Sequence, residues 1–174
     1  MEKGNKFNGA AFKLQKELKG KFILSRSDNS SFSVGLEDDD NIFEWTVTLF
    51  GPPDTDYEGG MFKALLKFPH DYPFEPPTMR FISKMWHPNI YEDGRVCISI
   101  LHSPVQDSSG YEDITERWNP AQTVETILVS VLSMLSNPND ESPANVDAAI
   151  MWRNDKAAYK RQVQRCVVRS MEDP

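Results

Sequence analysis

Cysteine is nearly absent: 174 residues hold two, Cys97 and Cys166, 69 positions apart. That spacing is neither a disulfide framework nor a CxxC redox or zinc motif, and each reads as a free thiol. Histidine is as scarce. His70, His87 and His102 form no HExxH pattern and stand beside no paired cysteines, so no metal site is expected. Long apolar runs are missing too: no stretch of 18 occurs, and Met1-Glu-Lys-Gly-Asn-Lys6 lacks the basic-then-apolar profile of a secretion signal. A soluble protein of the cytoplasm or nucleus, with no membrane span, is the expectation. Basic residues are the minority, 19 against 26 acidic, and the net charge of −7 offers no footprint for nucleic acid. A basic partner fits better. Neither GxGxxG nor GKS/GKT appears, which removes the common nucleotide sites.

What is present is an ordinary globular composition, 39% hydrophobic and 26% charged, long enough to bury a sizeable core, so one domain over 1–174 is expected. Phe7, Ala11, Leu14 and Leu18 recur at helical spacing and predict a helix over about 6–19, with Lys13, Lys16, Glu17 and Lys19 on its other faces. Strands are predicted over 32–36, 43–49, 62–68 and 78–82, the second and third alternating strictly, as half-buried antiparallel strands do. Between the last two, Pro69-His-Asp-Tyr-Pro-Phe-Glu-Pro-Pro77 has four prolines and reads as a rigid loop. From Val124 the period becomes helical, with Val124, Ile127, Leu128, Val131 and Leu135 on one face and Thr123 as N-cap. Two helices follow, over about 145–153 and 155–171. Strands first and helices last make an α+β fold: a four-stranded antiparallel meander sheet flanked by an N-terminal helix, a central helix and two C-terminal helices.

The least ordinary segment is His87-Pro-Asn-Ile-Tyr-Glu-Asp-Gly-Arg-Val-Cys-Ile-Ser-Ile-Leu101, an irregular stretch that brings a cysteine near an Asn and a His. A thiol there can act as nucleophile or acyl carrier, and the Asn89 amide can donate to the oxyanion formed when a thioester carbonyl is attacked. A carrier thiol attacking an already activated acyl group does not need the strongly lowered pKa of a peptidase cysteine. The residues alone leave other readings open. Cys97 is also compatible with a packed thiol, Asn89 with an Asx-turn after Pro88, and Cys97 with His87 as a cysteine-protease pair that hydrolyses peptides. Phe74 reads either as core filling or as an exposed anchor, and Cys166, on the apolar stripe of the last helix, reads as core.

His87-Pro-Asn89 followed eight residues later by Cys97, with Tyr57-Glu-Gly-Gly60, Asp71-Tyr-Pro-Phe-Glu-Pro-Pro77, Trp118-Asn-Pro120 and Asn137-Pro-Asn139, resembles the ubiquitin-conjugating enzymes from about residue 7 to 171. The resemblance implies a sheet flanked by four helices and a thiol that takes ubiquitin's C-terminal carboxyl from the activating enzyme and passes it to a lysine amine, usually with a ligase. It implies Cys97 as the thioester nucleophile, Asn89 as oxyanion or loop support and His87 as structural. Phe74, Pro120 and Ala121, beside Lys13 of the first helix, match the surface for a RING-type ligase. Val129 matches the apolar contact for ubiquitin held in the closed state. No cofactor is implied, ATP being consumed by the activating enzyme.

Between Cys97 and Trp118 the chain spends 21 positions where the minimal family fold uses about eight, an insertion over about 102–117. It carries Asp107, Glu112, Asp113 and Glu116 and resembles the acidic-loop subclass, whose members build polyubiquitin, commonly of the proteasome-directing linkage. Val124-Glu-Thr-Ile127, Ser142-Pro-Ala-Asn-Val-Asp-Ala-Ala149 and Arg165-Cys-Val167 look most like the G-type enzymes, the first paralogue especially. Ser142 stands where many relatives have an aspartate that orients or deprotonates the lysine, a role the resemblance shares out to Ser142 and the loop carboxylates.

Overall fold

The computed structural model describes residues 3–24, 30–104 and 115–172, with side chains in the first helix described over 9–20. Its elements are α1 (Lys3–Leu24), β1 (Phe32–Leu36), β2 (Glu44–Phe50), β3 (Met61–Lys67), β4 (Thr78–Phe81), a 3-10 turn (Ser99–Leu101), α2 (Val124–Ser136), α3 (Val146–Asn154) and α4 (Lys156–Glu172). The strands form one antiparallel sheet in the order β1-β2-β3-β4. This is the expected α+β meander with four helices.

Alternation decides which face is buried. Val34, Val47, Ala64 and Phe81 pair in register across all four strands, and beside them run Trp45, Leu66 and Met79. All seven are buried, while Thr46, Thr48, Lys63 and Leu65 between them are only half-buried. Against this face lie Leu14 of α1, Val124, Ile127, Leu128, Val131 and Leu135 of α2, and Tyr159, Val163 and Cys166 of α4, in one continuous cluster. Full burial of each aliphatic side chain contributes about 2 kcal/mol. Cys166 is a core thiol, its pKa pushed up by burial.

Local capping sets the helix starts. The Thr123 side chain accepts from the Thr126 N–H and the Thr126 hydroxyl answers to the Thr123 N–H, a reciprocal capping box, and Asn145 caps α3 through the Ala148 N–H. Three differences from expectation have physical causes. Strands β2 and β3 are each offset by one residue from the predicted ranges, and β4 stops at Phe81, because ladder pairing rather than alternation sets the ends. The first helix extends beyond 6–19 at both ends, since no proline interrupts it and the cost of Gly4 and Gly20 in the added turns is about 1 kcal/mol each. Glu17, assigned to an outer face, is largely covered, with 11% side-chain exposure.

Candidate active site

The thiol is delivered by a return of the chain beneath β4. After the buried Ile90, residues 91–95 turn back with the Tyr91 N–H donating to the Arg95 carbonyl, and the Phe81 and Val96 N–H groups donate to the Gly94 and Met79 carbonyls. Gly94 makes this possible. Its φ of +93° is in the left-handed region, and a Cβ there would meet the Phe81 carbonyl oxygen at 2.1 Å. Asp93 braces the turn by accepting from Arg95, which lowers its pKa. Cys97 then emerges half-buried, its N–H donating to the Asn89 carbonyl at 3.0 Å.

Beneath it, polar groups are spent on one another. His87 is fully buried, with Nε2 2.8 Å from the Met134 carbonyl of α2 and Nδ1 accepting the Asn89 N–H at 2.9 Å. Those partners define a neutral ring protonated at Nε2, and burial lowers its pKa to about 4. With both nitrogens engaged, His87 is no base for Cys97, so the protease pairing has no geometry to support it. The Asn89 amide clasps the Asn139 backbone from both sides, Nδ2 donating to the carbonyl at 2.6 Å and Oδ1 accepting the N–H at 2.9 Å. The Pro88 carbonyl accepts from the Ala144 and Asn145 N–H groups. The 87–97 and 137–145 segments are thereby stitched together, and Ser142 stands exposed on the second, where Arg153 also pairs with Asp140 and lowers its pKa.

His102 is the neighbour that sequence reasoning missed. Its Nε2 lies 3.8 Å from Cys97 Sγ, within hydrogen-bond range for sulfur. Only its position five residues after the cysteine, one turn of the intervening 3-10 helix away, signalled it. The insertion closes on itself at its base, the Trp118 N–H donating to the His102 carbonyl at 3.2 Å. Glu116 is exposed near that base; Asp107, Glu112 and Asp113 lie outside the described residues. Among the described residues no three His, Cys, Asp or Glu side chains gather as a metal cluster.

A second grouping forms where α1 meets the Pro-rich loop and the start of α2. Phe74 is 65% exposed, which excludes core filling and leaves it at the surface. Pro120 and Ala121 are exposed in the loop that leads into α2, and Lys13 Nζ donates to the Pro120 carbonyl at 3.2 Å. The frame beneath is polar and internal. The Trp118 indole donates to the Pro73 carbonyl, the Tyr72 hydroxyl donates to Glu17 Oε1, and Glu17 Oε2 accepts the Val124 N–H at the start of α2. Burial and the Glu17 carboxylate raise the Tyr72 pKa, so the phenol stays protonated. Glu17 had no sequence signal, because its partners are 55 and 107 residues away. Val129 is 54% exposed on the outer face of α2, which it shares with the exposed Glu125, Ser133 and Ser136.

Comparison with known proteins identifies the family. The ubiquitin-conjugating enzyme family pattern matches residues 13–167. The chain is 58% identical to ubiquitin-conjugating enzyme E2 7 of Arabidopsis thaliana over 163 residues, covering 94% of this chain and 96% of the relative. It is 61% identical to probable ubiquitin-conjugating enzyme E2 7 of Caenorhabditis elegans over 150 residues, covering 86% and 92%. A fission yeast relative, ubiquitin-conjugating enzyme E2 15 of Schizosaccharomyces pombe, is 55% identical over 159 residues, covering 91% and 93%.

Proposed function

The chain belongs to the ubiquitin-conjugating enzymes and is an enzyme of that class, and from this premise we propose that Cys97 is the thiol that carries ubiquitin. The family's partners are ubiquitin, its activating enzyme and a ligase. The observation that carries the assignment is the half-buried Cys97, whose backbone N–H is held on the Asn89 carbonyl at the edge of a buried, hydrogen-bonded base.

Charging is an exchange of thioesters. Cys97 Sγ attacks the carbonyl carbon of the activated ubiquitin carboxyl, the thiol proton is lost, and the activating enzyme's thiolate leaves and is reprotonated. In discharge a lysine amine, having lost a proton, attacks the same carbon; the tetrahedral intermediate collapses to an amide and expels the Cys97 thiolate. Asn89 supports both the loop and the intermediate: one amide N–H holds Asn139, and the second is the donor assigned to the oxyanion. No metal or organic cofactor enters these steps. ATP is consumed by the activating enzyme.

The finer reading follows the insertion. The chain is an acidic-loop enzyme, of the G type, that builds polyubiquitin, commonly of the proteasome-directing linkage, in the cytoplasm or nucleus. Asp107, Glu112, Asp113 and Glu116, with Ser142, attract and orient the acceptor lysine. A RING-type ligase docks on Phe74, Pro120, Ala121 and Lys13, and donor ubiquitin closes against Val129. The exposure of Phe74 and Val129 supports these two surfaces. No helix among the described residues is long and apolar enough to cross a membrane.

A charging assay with ubiquitin, activating enzyme and ATP on a non-reducing gel tests the central claim. One thiol-reducible ubiquitin adduct, absent in Cys97→Ala, is expected; no adduct from folded protein overturns it. Neutralising the four loop carboxylates is expected to reduce chain extension and leave charging intact, and equal loss of both overturns the loop's role.

A further inference from the structure

A basic groove stands apart from both loop groupings and shares no residue with them. Residues 156–171 carry Lys156, Lys160, Arg161, Arg165 and Arg169 and no carboxylate, in a chain whose net charge is −7. Arg161, Arg165 and Arg169 recur every fourth residue, so they share one face of α4, and like charges at this spacing destabilise a helix. Lys84 joins them across a cavity of about 670 Å³ between α4 and the 84–86 segment. None of these four cations is in an ion pair among the described residues. Glu37 and Glu172 line a neighbouring cavity with Lys84 and Arg169, so the repulsion within the row is offset at that end only, and Arg161 and Arg165 have no carboxylate in an ion pair with them among the described residues.

The same cavity is lined by Met85, Trp86 and Val168. Val168 is half exposed, an apolar surface set among arginines. Trp86 adds an unusual group to this lining. Its indole N–H is buried without a hydrogen-bond acceptor among the described residues, whereas the Trp45 and Trp118 indoles donate to the Ile42 and Pro73 carbonyls. A buried donor without an acceptor is rare in a folded protein and calls for a partner.

We propose that this groove binds an acidic peptide segment bearing an apolar anchor, its carboxylates on Arg161, Arg165, Arg169 and Lys84 and its anchor over Met85, Trp86 and Val168. Guanidinium groups pair carboxylates through two parallel hydrogen bonds, and a row of three matches acidic residues spaced along one helix or strand. The apolar lining is what separates a peptide from other polyanions, since neither nucleic acid backbone nor a lipid headgroup supplies a side chain for it. The net charge of −7 also repels extended polyanions and anionic bilayers at long range, whereas a few carboxylates act within a Debye length of the arginines.

The test uses the full chain and a synthetic fluorescein-labelled peptide with Glu at every fourth position and Leu on the adjoining face. Saturable binding that weakens with added salt is expected, reduced about tenfold or more in R161E/R165E. Peptide titration should also move the Trp86 indole resonance, assigned with Trp86→Phe, while those of Trp45 and Trp118 stay put. Arg165→Gln provides a milder variant, with a smaller loss in the same direction, if the charge reversal melts the helix. The proposal is overturned by absence of saturable binding up to about 1 mM, by equal binding to the variants, or by equal binding of a Glu-only peptide without Leu. Preference for phosphatidylserine vesicles or a single-stranded oligonucleotide over the peptide overturns it as well.

Discussion

The two ends of the functional surface handle their side chains in opposite ways. Around Cys97 the polar groups turn inward: His87 and Asn89 are buried and spend their hydrogen bonds on Met134 and Asn139. Around Phe74 the apolar groups turn outward, while a polar brace of Glu17, Tyr72 and Trp118 holds the loops from beneath. The difference teaches what each end must do. The sulfur proposed to react needs fixed geometry and a foundation that does not take up protons, whereas the loop proposed to dock a ligase needs exposed apolar area on a frame that does not yield.

The largest effect that would sharpen this contrast comes from Asn89→Ala. It removes the clasp on Asn139 and the proposed oxyanion donor together, so single-turnover lysine discharge should fall about 10²- to 10³-fold, near 3 kcal/mol, with a smaller loss in charging. An unchanged discharge rate would leave Asn89 with the loop alone. Acidification probes the same end through His87, whose pKa is about 4 in the folded chain against 6.5 for a histidine in water. Between those values the unfolded chain binds a proton that the folded chain refuses, so the contribution is whole above pH 6.5 and is lost as pH falls toward 4. The loss amounts to about 3 kcal/mol in urea unfolding, and His87→Asn should show a shallower pH slope. Parallel slopes would break the inward-facing half of the comparison. Smallest is Phe74→Ala, which should leave folding and unassisted charging unchanged and cost about 2 kcal/mol, near 30-fold, in affinity for a RING-type ligase. A fall in melting temperature with that variant would make Phe74 part of the frame instead.

Much of the fold was legible because its signals are local. Alternation identified the buried Trp45, Val47 and Leu49, and the helical period identified the covered face of α2, together with its Thr123 cap. The candidate site was legible as a set of loops, not as a set of contacts. Nothing in the local sequence pairs Asn89 with Asn139, fifty residues on, or turns Glu17 from a surface helix toward Tyr72 and the start of α2. Such partners are chosen by tertiary packing, and a periodicity argument assigns Glu17 to solvent because it lies off the stripe of Phe7, Ala11, Leu14 and Leu18. Phe74 shows the converse case, where the pattern admitted two readings and burial alone distinguished them.

The return of residues 90–96 beneath β4 has a consequence for the sheet as well as for the sulfur. Among the described residues β4 has no fifth strand beside it, yet its outer backbone groups are partly occupied: the Phe81 N–H by Gly94 and the Met79 carbonyl by Val96. The segment that presents Cys97 thus seals an edge that would otherwise invite strand addition from another molecule. Gly94 is the hinge pin of both arrangements, since any side chain there collides with the Phe81 carbonyl. The placing of the thiol and the covering of a sheet edge depend on the same short piece of chain.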